Sequence, residues 1–490
     1  MVTRPFPATI PNWIDGMERP AASGRSFVKQ SPHDGERLCE VARSDAEDVH
    51  AAVTVARRAQ PAWADVPGVA RGELLFALCR RLEDDAEEIA HTVALETGKS
   101  PREALGETRG AIALGRFFAG EGQRLYGRTT TSGTPNRHVF TVRRPCGVAG
   151  LIAAANTPIA NVAWKAFPAL VCGNGVVFKA PEDAPATAWR FAKAASQAGL
   201  PAGVLNVVQG LGAEAGEPLV QHEGVDVLSF TGSTAVGRWI AETAGRRLAK
   251  VSLELGGKNP FVVCDDADLA AAVHWASLSA FSNAGQRCAA GSRILVFAGV
   301  YDEVRDRLVE RARTLRVGPA DGDDLGPVIH ERALARILGA IDGARQRGAR
   351  VLAGGHRLTG PDHARGCYLA PTLLEGVAPD DEISATELFG PVASLHRVSG
   401  FDEALAVANA SPYGLTACIH TRSLDRAVRF CERVQAGVAV VNAGTFGSEP
   451  HMPFGGVKQS GNGTREPGTE ALDVYSELRD VYVTIDPERT

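Results

Sequence analysis

Hydrophobic and polar residues alternate with a helical period through the first quarter of the chain. From Val49 to about Ala119, alanine- and leucine-rich stretches carry Arg, Glu and Asp at recurring spacing, as in GELLFALCRRLEDDAEEIAHTVALETG. Apolar residues that recur every three or four positions lie on one face of an α-helix. The pattern therefore predicts a helical region here.

The pattern changes from Pro145 onward, where short apolar runs alternate with helical segments. The first five runs are GVAGLIAAA, GNGVVFKA, GVLNVVQG, GVDVLSFTG and AKVSLELGG. A second set, with PFVVCDD and SRILVFAGV, follows, and a third begins near ARVLAGG. Strands that alternate with helices indicate a parallel, doubly wound α/β sheet.

Two further segments differ from this alternation. The stretch GRTTTSGTPNR at 127–137 precedes the alternating HVFTVRRP, which predicts a strand or hairpin that projects from the main body. The segment ALDVYSELRDVYVTID alternates apolar and polar residues in the manner of an edge strand. Such an edge can pair with another chain.

Composition and charge restrict the class of protein. The chain has 490 residues, 44% hydrophobic and 22% charged, which predicts two or three globular domains. The formal net charge of −5 gives no reason to expect a nucleic-acid partner. The start MVTRPFPATIPNW lacks the apolar segment of a signal peptide, and the longest apolar stretches are too short to span a membrane. We expect a soluble, cytoplasmic protein without a membrane partner.

The nine cysteines are scattered along the chain without a CxxC pair. Their odd count and spacing argue against a disulfide framework and against a structural zinc site. We therefore expect no metal, and we expect most cysteines to be small buried side chains.

A phosphate-binding turn is indicated where a predicted strand passes into a helix in FTGSTAVGRWIAETAG, although the GxGxxG fingerprint is absent. Gly232 would let the backbone turn sharply, Ser233 would cap the helix and Gly237 would permit close packing. Lys179 and Glu182 lie at another strand end, where a carboxylate can bind a ribose diol and favour NAD over NADP. From these residues alone, a capped helix and a surface Lys–Glu pair are the favoured interpretations.

Three side chains suggest chemistry at the ends of predicted elements: Asn156 in AAANTPIAN, Glu254 in VSLELGGKNP and Cys288 in FSNAGQRCAA. A thiolate can attack a carbonyl carbon, and the resulting oxyanion needs donors such as a carboxamide and a backbone N–H. A carboxylate can then activate the water that hydrolyses a thioester. A buried spectator cysteine, a capping glutamate and a turn asparagine remain the alternatives at this point.

The sequence resembles the NAD(P)-dependent aldehyde dehydrogenases over essentially its whole length. The resemblance is carried by FTGSTAVG (230–237), LELGGKNP (253–260), FSNAGQRCAAG (281–291), ELFGPV (387–392) and PFGGVKQSG (453–461). It implies that Cys288 is the nucleophile, Glu254 the general base and Asn156 the oxyanion donor, with Lys165 assisting proton transfer. It also implies a cofactor site, formed by Lys179, Glu182, Gly232, Ser233, Gly237, Glu387 and Phe389.

The fold implied by this resemblance is a Rossmann-type cofactor domain with an α/β catalytic domain and a small β bridging element. The expected boundaries are 1–122 with 146–256 for the cofactor domain, 257–449 for the catalytic domain, and 123–145 with 466–490 for the bridging element. The bridging element would mediate a homodimer or homotetramer.

The substrate tunnel implied by the resemblance is lined by Thr157, Trp164, Arg287, Ala289 and Phe446. The family commonly has Pro-Trp before the oxyanion Asn and Phe-Pro after it, whereas this chain has Ala-Ala before and Thr-Pro after. Ala289 stands where Thr is frequent, which predicts a slightly wider pocket. Arg287, or His451 near the expected entrance, could hold the remote carboxylate of a semialdehyde. Alternatively, Arg287 pairs with a structural carboxylate and the substrate is a neutral aldehyde.

Other functions compatible with these residues are a CoA-acylating dehydrogenase, a non-catalytic protein of the same fold and a thiol hydrolase. Glu254 argues against the first, since CoA transfer needs no water-activating base. The presence of all three catalytic residue types argues against the second. The cofactor residues argue against the third as a main activity.

Overall fold

Two seven-stranded sheets organise the protein, whose computed structural model describes residues 5–489. Short strands come first, followed by a block of helices that confirms the helical region predicted from Val49. The strands are β1 (Thr9–Ile10), β2 (Asn12–Ile14), β3 (Met17–Arg19), β4 (Ser26–Gln30) and β5 (Arg37–Ala42). The helices are α1 (Ala46–Asp65), α2 (Gly68–Asp84), α3 (Ala86–Thr97) and α4 (Pro101–Glu121).

Local sequence sets several of these helix ends. Asp45 forms a capping box at the start of α1. Gly98 ends α3 in the left-handed conformation, with φ of 78°. Ser100 then caps α4, and Pro101 occupies its first position, where no backbone donor is needed.

The next segment confirms the five predicted parallel strands, which build the first sheet. The strands of the segment are β6 (Thr129–Thr130), β7 (Arg137–Pro145), β8 (Val148–Ile152), β9 (Gly175–Lys179), β10 (Leu205–Val208), β11 (Val227–Thr231) and β12 (Lys250–Glu254). The last five belong to the first sheet, whereas β6 and β7 belong to a smaller one. The helices of the segment are α5 (Pro158–Val171), α6 (Pro185–Gln197), α7 (Glu217–Gln221) and α8 (Thr234–Gly245). The order is β12-β11-β8-β9-β10-β2-β3, in which β2 pairs antiparallel with β10 and β3 pairs antiparallel with β2.

The strands of this sheet are buried on both faces, which explains why they read as continuous apolar runs. Val176 and Phe178 of β9 pack in one core with α2, α4, α5 and α6. Val177, between them, packs in a second core with α1, α7 and α8.

The following segment contributes seven of its strands to the second sheet. The strands of the segment are β13 (Pro260–Val263), β14 (Arg293–Phe297), β15 (Arg350–Ala353), β16 (Thr372–Glu375), β17 (Val392–Val398), β18 (Tyr413–Gly414), β19 (Thr416–His420), β20 (Val438–Val441) and β21 (Val457–Lys458). Its helices are α9 (Leu269–Phe281), α10 (Tyr301–Thr314), α11 (Glu331–Gln346), α12 (Glu382–Ala385), α13 (Phe401–Asn409) and α14 (Leu424–Arg433). The order β15-β16-β17-β14-β13-β19-β20 is parallel apart from β15.

A third, small sheet joins two distant parts of the chain. After α15 (Ala471–Tyr475), the strand β22 (Ser476–Thr484) pairs antiparallel with β7 along its whole length, in the order β22-β7-β6. Residues 471–475 pack with the core of the first sheet before β22 departs from it. The projecting strand and the edge-like terminus of the sequence are thus partners, and β22 is an edge of their sheet. Among residues 5–489, no helix has the length and apolarity needed to cross a membrane.

Candidate active site

The carboxyl edge of the first sheet collects most of the polar side chains predicted for the site. Lys179 is the last residue of β9, and Glu254 is the last residue of β12. Asn156 follows β8, Glu182 follows β9 and Ser233 follows β11. Because these strands are parallel neighbours, their carboxyl ends lie at one edge of the sheet.

The segment that leads to the predicted nucleophile has an unusual backbone. Asn283, Ala284 and Gly285 all have left-handed conformations, with φ of 54°, 52° and 66°. Such conformations cost free energy for residues other than glycine and are tolerated where the surroundings fix them. Gln286 contributes to this fixation, because its backbone N–H and its side-chain amide both donate to the carbonyl of Asn283. The turn delivers Cys288 to the gap between the two large sheets.

The predicted oxyanion donor contacts this same turn. Asn156 Nδ2 donates to the carbonyl oxygen of Gln286 at 3.0 Å, and Asn161 Nδ2 donates to Asn156 Oδ1 at 3.4 Å. Asn283 Nδ2 donates to the backbone carbonyl of Asn156 at 3.2 Å. The Asn156 carboxamide is therefore held against Gln286, which lies two residues before Cys288 in the chain. Among the described residues, its second N–H remains available to another acceptor.

The glycine pair after Glu254 lets the chain approach the nucleophile closely. A Cβ atom on Gly257 would lie 2.6 Å from the carbonyl oxygen of Cys288, so no side chain fits there. Asn259 Nδ2 donates to the carbonyl oxygens of Cys288 and Ala290 at 2.8 and 2.9 Å. Asn259 Oδ1 accepts from the backbone N–H of Thr416. Asn259 thus anchors the nucleophile's backbone to the second sheet.

The environment of Cys288 keeps its sulfur protonated. Burial, with smaller contributions from the negative charges of Glu387 and Glu254, raises the pKa of the Cys288 thiol to about 12. The backbone N–H of Ala289 and the charge of Arg287 act in the opposite direction but are weaker. The thiol therefore needs a proton acceptor before it can attack a carbonyl carbon.

The Glu254 carboxyl is buried and open to a new partner. Within residues 5–489, neither of its oxygens has a hydrogen-bond partner. Burial raises the pKa of Glu254 well above its ordinary value, and the charge of Glu466 raises it further. Lys165 and Arg465 lower it. A carboxyl with a raised pKa and free oxygens is suited to accept a proton from a thiol or from water.

Lys165 belongs to a buried polar network beside this base. Its Nζ donates to Ser229 Oγ at 2.6 Å and to Glu466 Oε2 at 3.0 Å. Ser229 Oγ and the Tyr475 hydroxyl both donate to Glu466 Oε1 at 2.9 Å. The network balances one positive and one negative charge, and both charges act on the pKa of Glu254.

Comparison with known proteins agrees with this arrangement. A sequence model described as the aldehyde dehydrogenase family matches residues 19–481. The chain is 38% identical over 478 residues to an alpha-ketoglutaric semialdehyde dehydrogenase of Bacillus subtilis, which covers 97% of this chain and 98% of the relative. It is 40% identical over 473 residues to an alpha-ketoglutarate semialdehyde dehydrogenase of Haloferax volcanii, with 96% and 98% covered.

The crystal structure of betaine aldehyde dehydrogenase from Staphylococcus aureus in complex with NAD+ has a TM-score of 0.95 to this fold, at 30% identity. The match covers 98% of this chain and 95% of that one. The chain belongs to the aldehyde dehydrogenase family. It is therefore an oxidoreductase that acts on aldehydes, and the fold expected from the sequence is confirmed.

In this aldehyde dehydrogenase, the side chains predicted to bind a dinucleotide lie at the predicted strand ends. Ser233 is exposed and caps α8 by accepting from the N–H of Val236 at 3.4 Å. Glu182 Oε2 accepts from the N–H of Gly212 at 3.1 Å. Lys179 is buried, and burial lowers its pKa to about 8. The interpretation of Lys179 and Glu182 as a surface pair is therefore wrong, because Lys179 lies inside the protein.

The two glycines of this turn act through close packing. A Cβ atom on Gly237 would lie 2.5 Å from Leu255 Cδ2, which agrees with the close packing predicted. A Cβ atom on Gly232 would lie 2.4 Å from the ring of Phe230, and Gly232 has no left-handed φ. The need for glycine at position 232 thus comes from the aromatic ring that precedes it.

Glu387 lies against the same glycine-rich segment that supports Cys288. Its Oε1 accepts from the N–H of Gly257 at 3.1 Å, and a Cβ atom on Gly256 would lie 2.2 Å from its Oε2. Burial raises the pKa of Glu387 to about 7. Phe389 has a left-handed φ of 55°, a strained conformation for an aromatic residue. Both residues therefore sit in a constrained loop next to the nucleophile.

Three of the five predicted pocket residues cluster around the nucleophile. Trp164, Ala289 and Phe446 share an apolar cluster with Cys288. Three further members were not predicted from the sequence: Leu415, Val438 and Phe454. The Trp164 and Phe454 rings meet edge to face, with centroids 5.4 Å apart.

The guanidinium of Arg287 lies 5.0 Å from the centre of the Phe446 ring. It also forms an ion pair with Glu103, Nη2 to Oε1 at 3.3 Å, so the pairing with a structural carboxylate is present. Thr157 precedes α5, beside Asn156. His451 is exposed and lies 3.5 Å from the Glu449 carboxylate.

Several residues of this site escaped the sequence analysis for different reasons. Asn259 lies inside LELGGKNP and Phe454 lies inside PFGGVKQSG, two segments that carry the resemblance to the family. Glu466 and Ser229 lie in segments without any pattern typical of a site. The carboxylates of α4 that contact the active-site loops read as the polar face of an ordinary helix.

Proposed function

We propose that this aldehyde dehydrogenase oxidises a carboxylated semialdehyde to the dicarboxylic acid, with NAD as the preferred cofactor and hydrolysis of a Cys288 thioester. The single observation that carries this proposal is the hydrogen bond from the Asn156 carboxamide to the turn that delivers Cys288. It supports a role for this carboxamide as the oxyanion donor to a species formed on the Cys288 sulfur, with Glu254 as the proton acceptor.

The first chemical step forms a bond between sulfur and carbon. The Cys288 thiol loses its proton to the Glu254 carboxylate, and its sulfur attacks the aldehyde carbon. The carbonyl π electrons move to oxygen, and the oxyanion accepts from Asn156 Nδ2 and from the backbone N–H of Cys288. Because the Asn156 carboxamide is already fixed, this stabilisation costs little reorganisation.

An oxidised nicotinamide bound here would supply the acceptor for the hydride that leaves the substrate carbon. The carbon then remains attached to Cys288 as a thioester. Glu254 releases the thiol proton to solvent and then removes a proton from a water molecule, whose oxygen attacks the thioester carbon and displaces the sulfur as a thiolate. The acid leaves, and the network of Lys165 and Glu466 adjusts the basicity of Glu254 through its charges.

The residues at the strand ends fit a dinucleotide. Ser233 is exposed at the start of α8, and the amides at a helix start suit a diphosphate. The Glu182 carboxylate suits a ribose diol and disfavours a 2′-phosphate, which supports NAD over NADP. Lys179, Gly232, Gly237, Glu387 and Phe389 complete the proposed set. Comparison of kcat/KM with both cofactors tests the preference, and a higher value with NADP would contradict it.

The proposed substrate class rests on Arg287. Its guanidinium lies on Phe446 beside the thiol, and its Nε has no hydrogen-bond partner within the described chain. The ion pair with Glu103 uses a single N–O contact, so donors remain for a substrate carboxylate. The two relatives named for alpha-ketoglutarate semialdehyde support the same class.

Steady-state rates with alpha-ketoglutaric semialdehyde, succinic semialdehyde and propanal test this proposal, in the absence of CoA. We expect kcat/KM to be about ten- to a hundredfold higher for a semialdehyde, the range of one charge-assisted pair.

Arg287→Gln should lower kcat/KM for the semialdehyde more than for propanal. Arg116→Gln, which breaks a surface ion pair with Glu83, is the matched control. A preference of the unmodified protein for propanal would refute the substrate class, and a requirement for CoA would refute hydrolysis.

We also propose that the third sheet joins copies of this chain into a dimer or tetramer. The support is the free edge of β22 and its exposed apolar side chains, Leu478, Tyr482 and Val483. Exposed apolar side chains along a free strand edge are typical of an interface.

A further inference from the structure

One face of α4 contacts both loops that build the proposed site. Glu103 and Glu107 are one helical turn apart, so their side chains project from the same face. Glu103 contacts the turn that leads to Cys288, whereas Glu107 contacts the start of α5, directly after Asn156. The helix therefore bridges the nucleophile and the oxyanion donor.

The contacts of Glu103 fix the strained turn. Its Oε1 accepts from the backbone N–H of Asn283 at 2.9 Å and from Arg287 Nη2 at 3.3 Å. Asn283 is the first of the three left-handed residues, so its N–H would otherwise be buried without an acceptor. Ser100 caps α4 by accepting from the N–H of Glu103, which fixes the start of the helix itself.

The contacts of Glu107 fix the other loop. Its Oε1 accepts from the N–H groups of Ile159 and Ala160 at 3.0 and 3.2 Å, which lie in the first turn of α5. Its Oε2 binds Lys99 Nζ, and Lys99 Nζ also donates to the carbonyl of Asn156 at 2.7 Å. Lys99 and Glu107 are both nearly fully buried, which strengthens and orients the pair.

We infer that Glu103 and Glu107 are positioning residues for the proposed reaction, and that together they set the distance between the Cys288 sulfur and the Asn156 carboxamide. Neither residue touches the reacting atoms. Glu103 acts through the turn at Asn283, and Glu107 acts through α5 and Lys99. The inference rests on the proposed function, because the distance matters only if an oxyanion forms between these two groups.

Substitution by the neutral isostere tests each carboxylate. Glu103→Gln and Glu107→Gln should each lower kcat/KM about ten- to a hundredfold, the loss expected when reacting groups are displaced by about 1 Å. NADH binding should stay unchanged, since neither residue contacts the proposed cofactor site. Glu121→Gln is the matched control, because Glu121 is a buried, ion-paired glutamate at the other end of α4. Its kcat/KM should equal that of the unmodified protein.

A double-mutant cycle separates positioning from general support of the fold. If Glu107 acts through the carboxamide, then Glu107→Gln in an Asn156→Ala background should change kcat/KM by less than about twofold. If Glu107→Gln lowered kcat/KM by the same factor with and without the Asn156→Ala substitution, the inference for Glu107 would be overturned. Wild-type kcat/KM in both single variants would overturn it altogether.

Alkylation of Cys288 by iodoacetamide, followed by mass spectrometry of its peptide, supplies a readout that needs no oxyanion donor. Glu107→Gln should leave this rate unchanged, and Glu103→Gln should change it, because only Glu103 holds the nucleophile's turn. Equal changes in both variants would contradict these separate roles. If the unmodified protein oxidises no aldehyde, the proposed function fails, whereas the alkylation rates still report the two contacts. Should one variant not fold, the other and Lys99→Met test the same bridge.

Discussion

At the scale of single residues, burial favours the neutral forms of Cys288 and Glu254. It is the main cause that raises the pKa of Cys288 to about 12, and it raises the pKa of Glu254 well above its ordinary value. In the proposed mechanism both groups act in the deprotonated form, as attacking sulfur and as proton acceptor. The proposed mechanism therefore predicts that the active fraction of the enzyme grows as the pH rises.

We expect kcat/KM to rise with pH over a range displaced upward from that of an ordinary carboxyl, because Glu254 must lose its proton to act as a base. Glu254→Gln should remove this rise and lower steady-state turnover by about a hundredfold or more. A single turnover of NADH should still form in stopped-flow measurements, with the thioester accumulating. Cys288→Ala, as a control, should give no NADH while binding NAD normally. A Glu254→Gln variant with wild-type turnover would exclude the role given to this base.

The charges beside Glu254 give a second prediction with a defined sign. Lys165 lowers the pKa of Glu254 and Glu466 raises it. Lys165→Met should therefore move the rising limb of the pH–rate profile to higher pH, and Glu466→Gln should move it to lower pH. Profiles of kcat/KM for the two variants check this opposition. Shifts in the same direction would show that the network acts in another way.

At the scale of elements, the glycine pair after β12 fixes how closely two loops can approach. We expect Gly257→Ala to lower kcat strongly, because its methyl group would meet the Cys288 carbonyl at 2.6 Å and displace the nucleophile. The strain should also cost about 1–3 kcal/mol of stability. Gly299→Ala is the control, since a Cβ atom there meets nothing within 4 Å. Rates and urea unfolding of both variants provide the measurement, and a wild-type rate for Gly257→Ala would be inconsistent with this contact.

The elements also show how far the sequence can predict this fold. Buried parallel strands are apolar on both faces, so β8 to β12 appeared as continuous runs and were predicted. The short strands β1 to β5 carry few residues each and were not. Ser233 was predictable because a cap acts within one helical turn. The contact of Glu466 with Lys165 spans 301 residues, and no local pattern encodes such a pairing.

The roles of the catalytic residues came from the resemblance of several segments and not from physics acting on one segment. Cys288 alone was indistinguishable from a buried spectator cysteine. What the structure adds is the support of the site: Asn259, Glu103, Glu107 and Lys99 hold backbone groups of the two loops. These side chains bind backbone N–H and carbonyl groups. Nearly every residue has such groups, so the sequence does not show which of them a given side chain binds.

At the scale of the whole molecule, the free edge of β22 leads to a prediction about assembly. We expect light scattering after size exclusion to give the mass of a dimer or tetramer. Leu478→Asp combined with Tyr482→Asp should reduce that mass, because both exposed side chains lie on one face of the strand. Val69→Asp, at an exposed position of α2, is the control. A monomeric unmodified protein would rule out the proposed assembly.

The pairing of β7 with β22, and of Lys165 with Glu466, has a consequence for biosynthesis. Lys165 is synthesised 301 residues before its counterion Glu466. The strand β7 is likewise synthesised long before its partner strand β22. During translation β7 therefore exists without its partner strand until residues 476–484 have been synthesised. The buried Lys165–Glu466 pair and the third sheet can form only after this late part of the chain has left the ribosome.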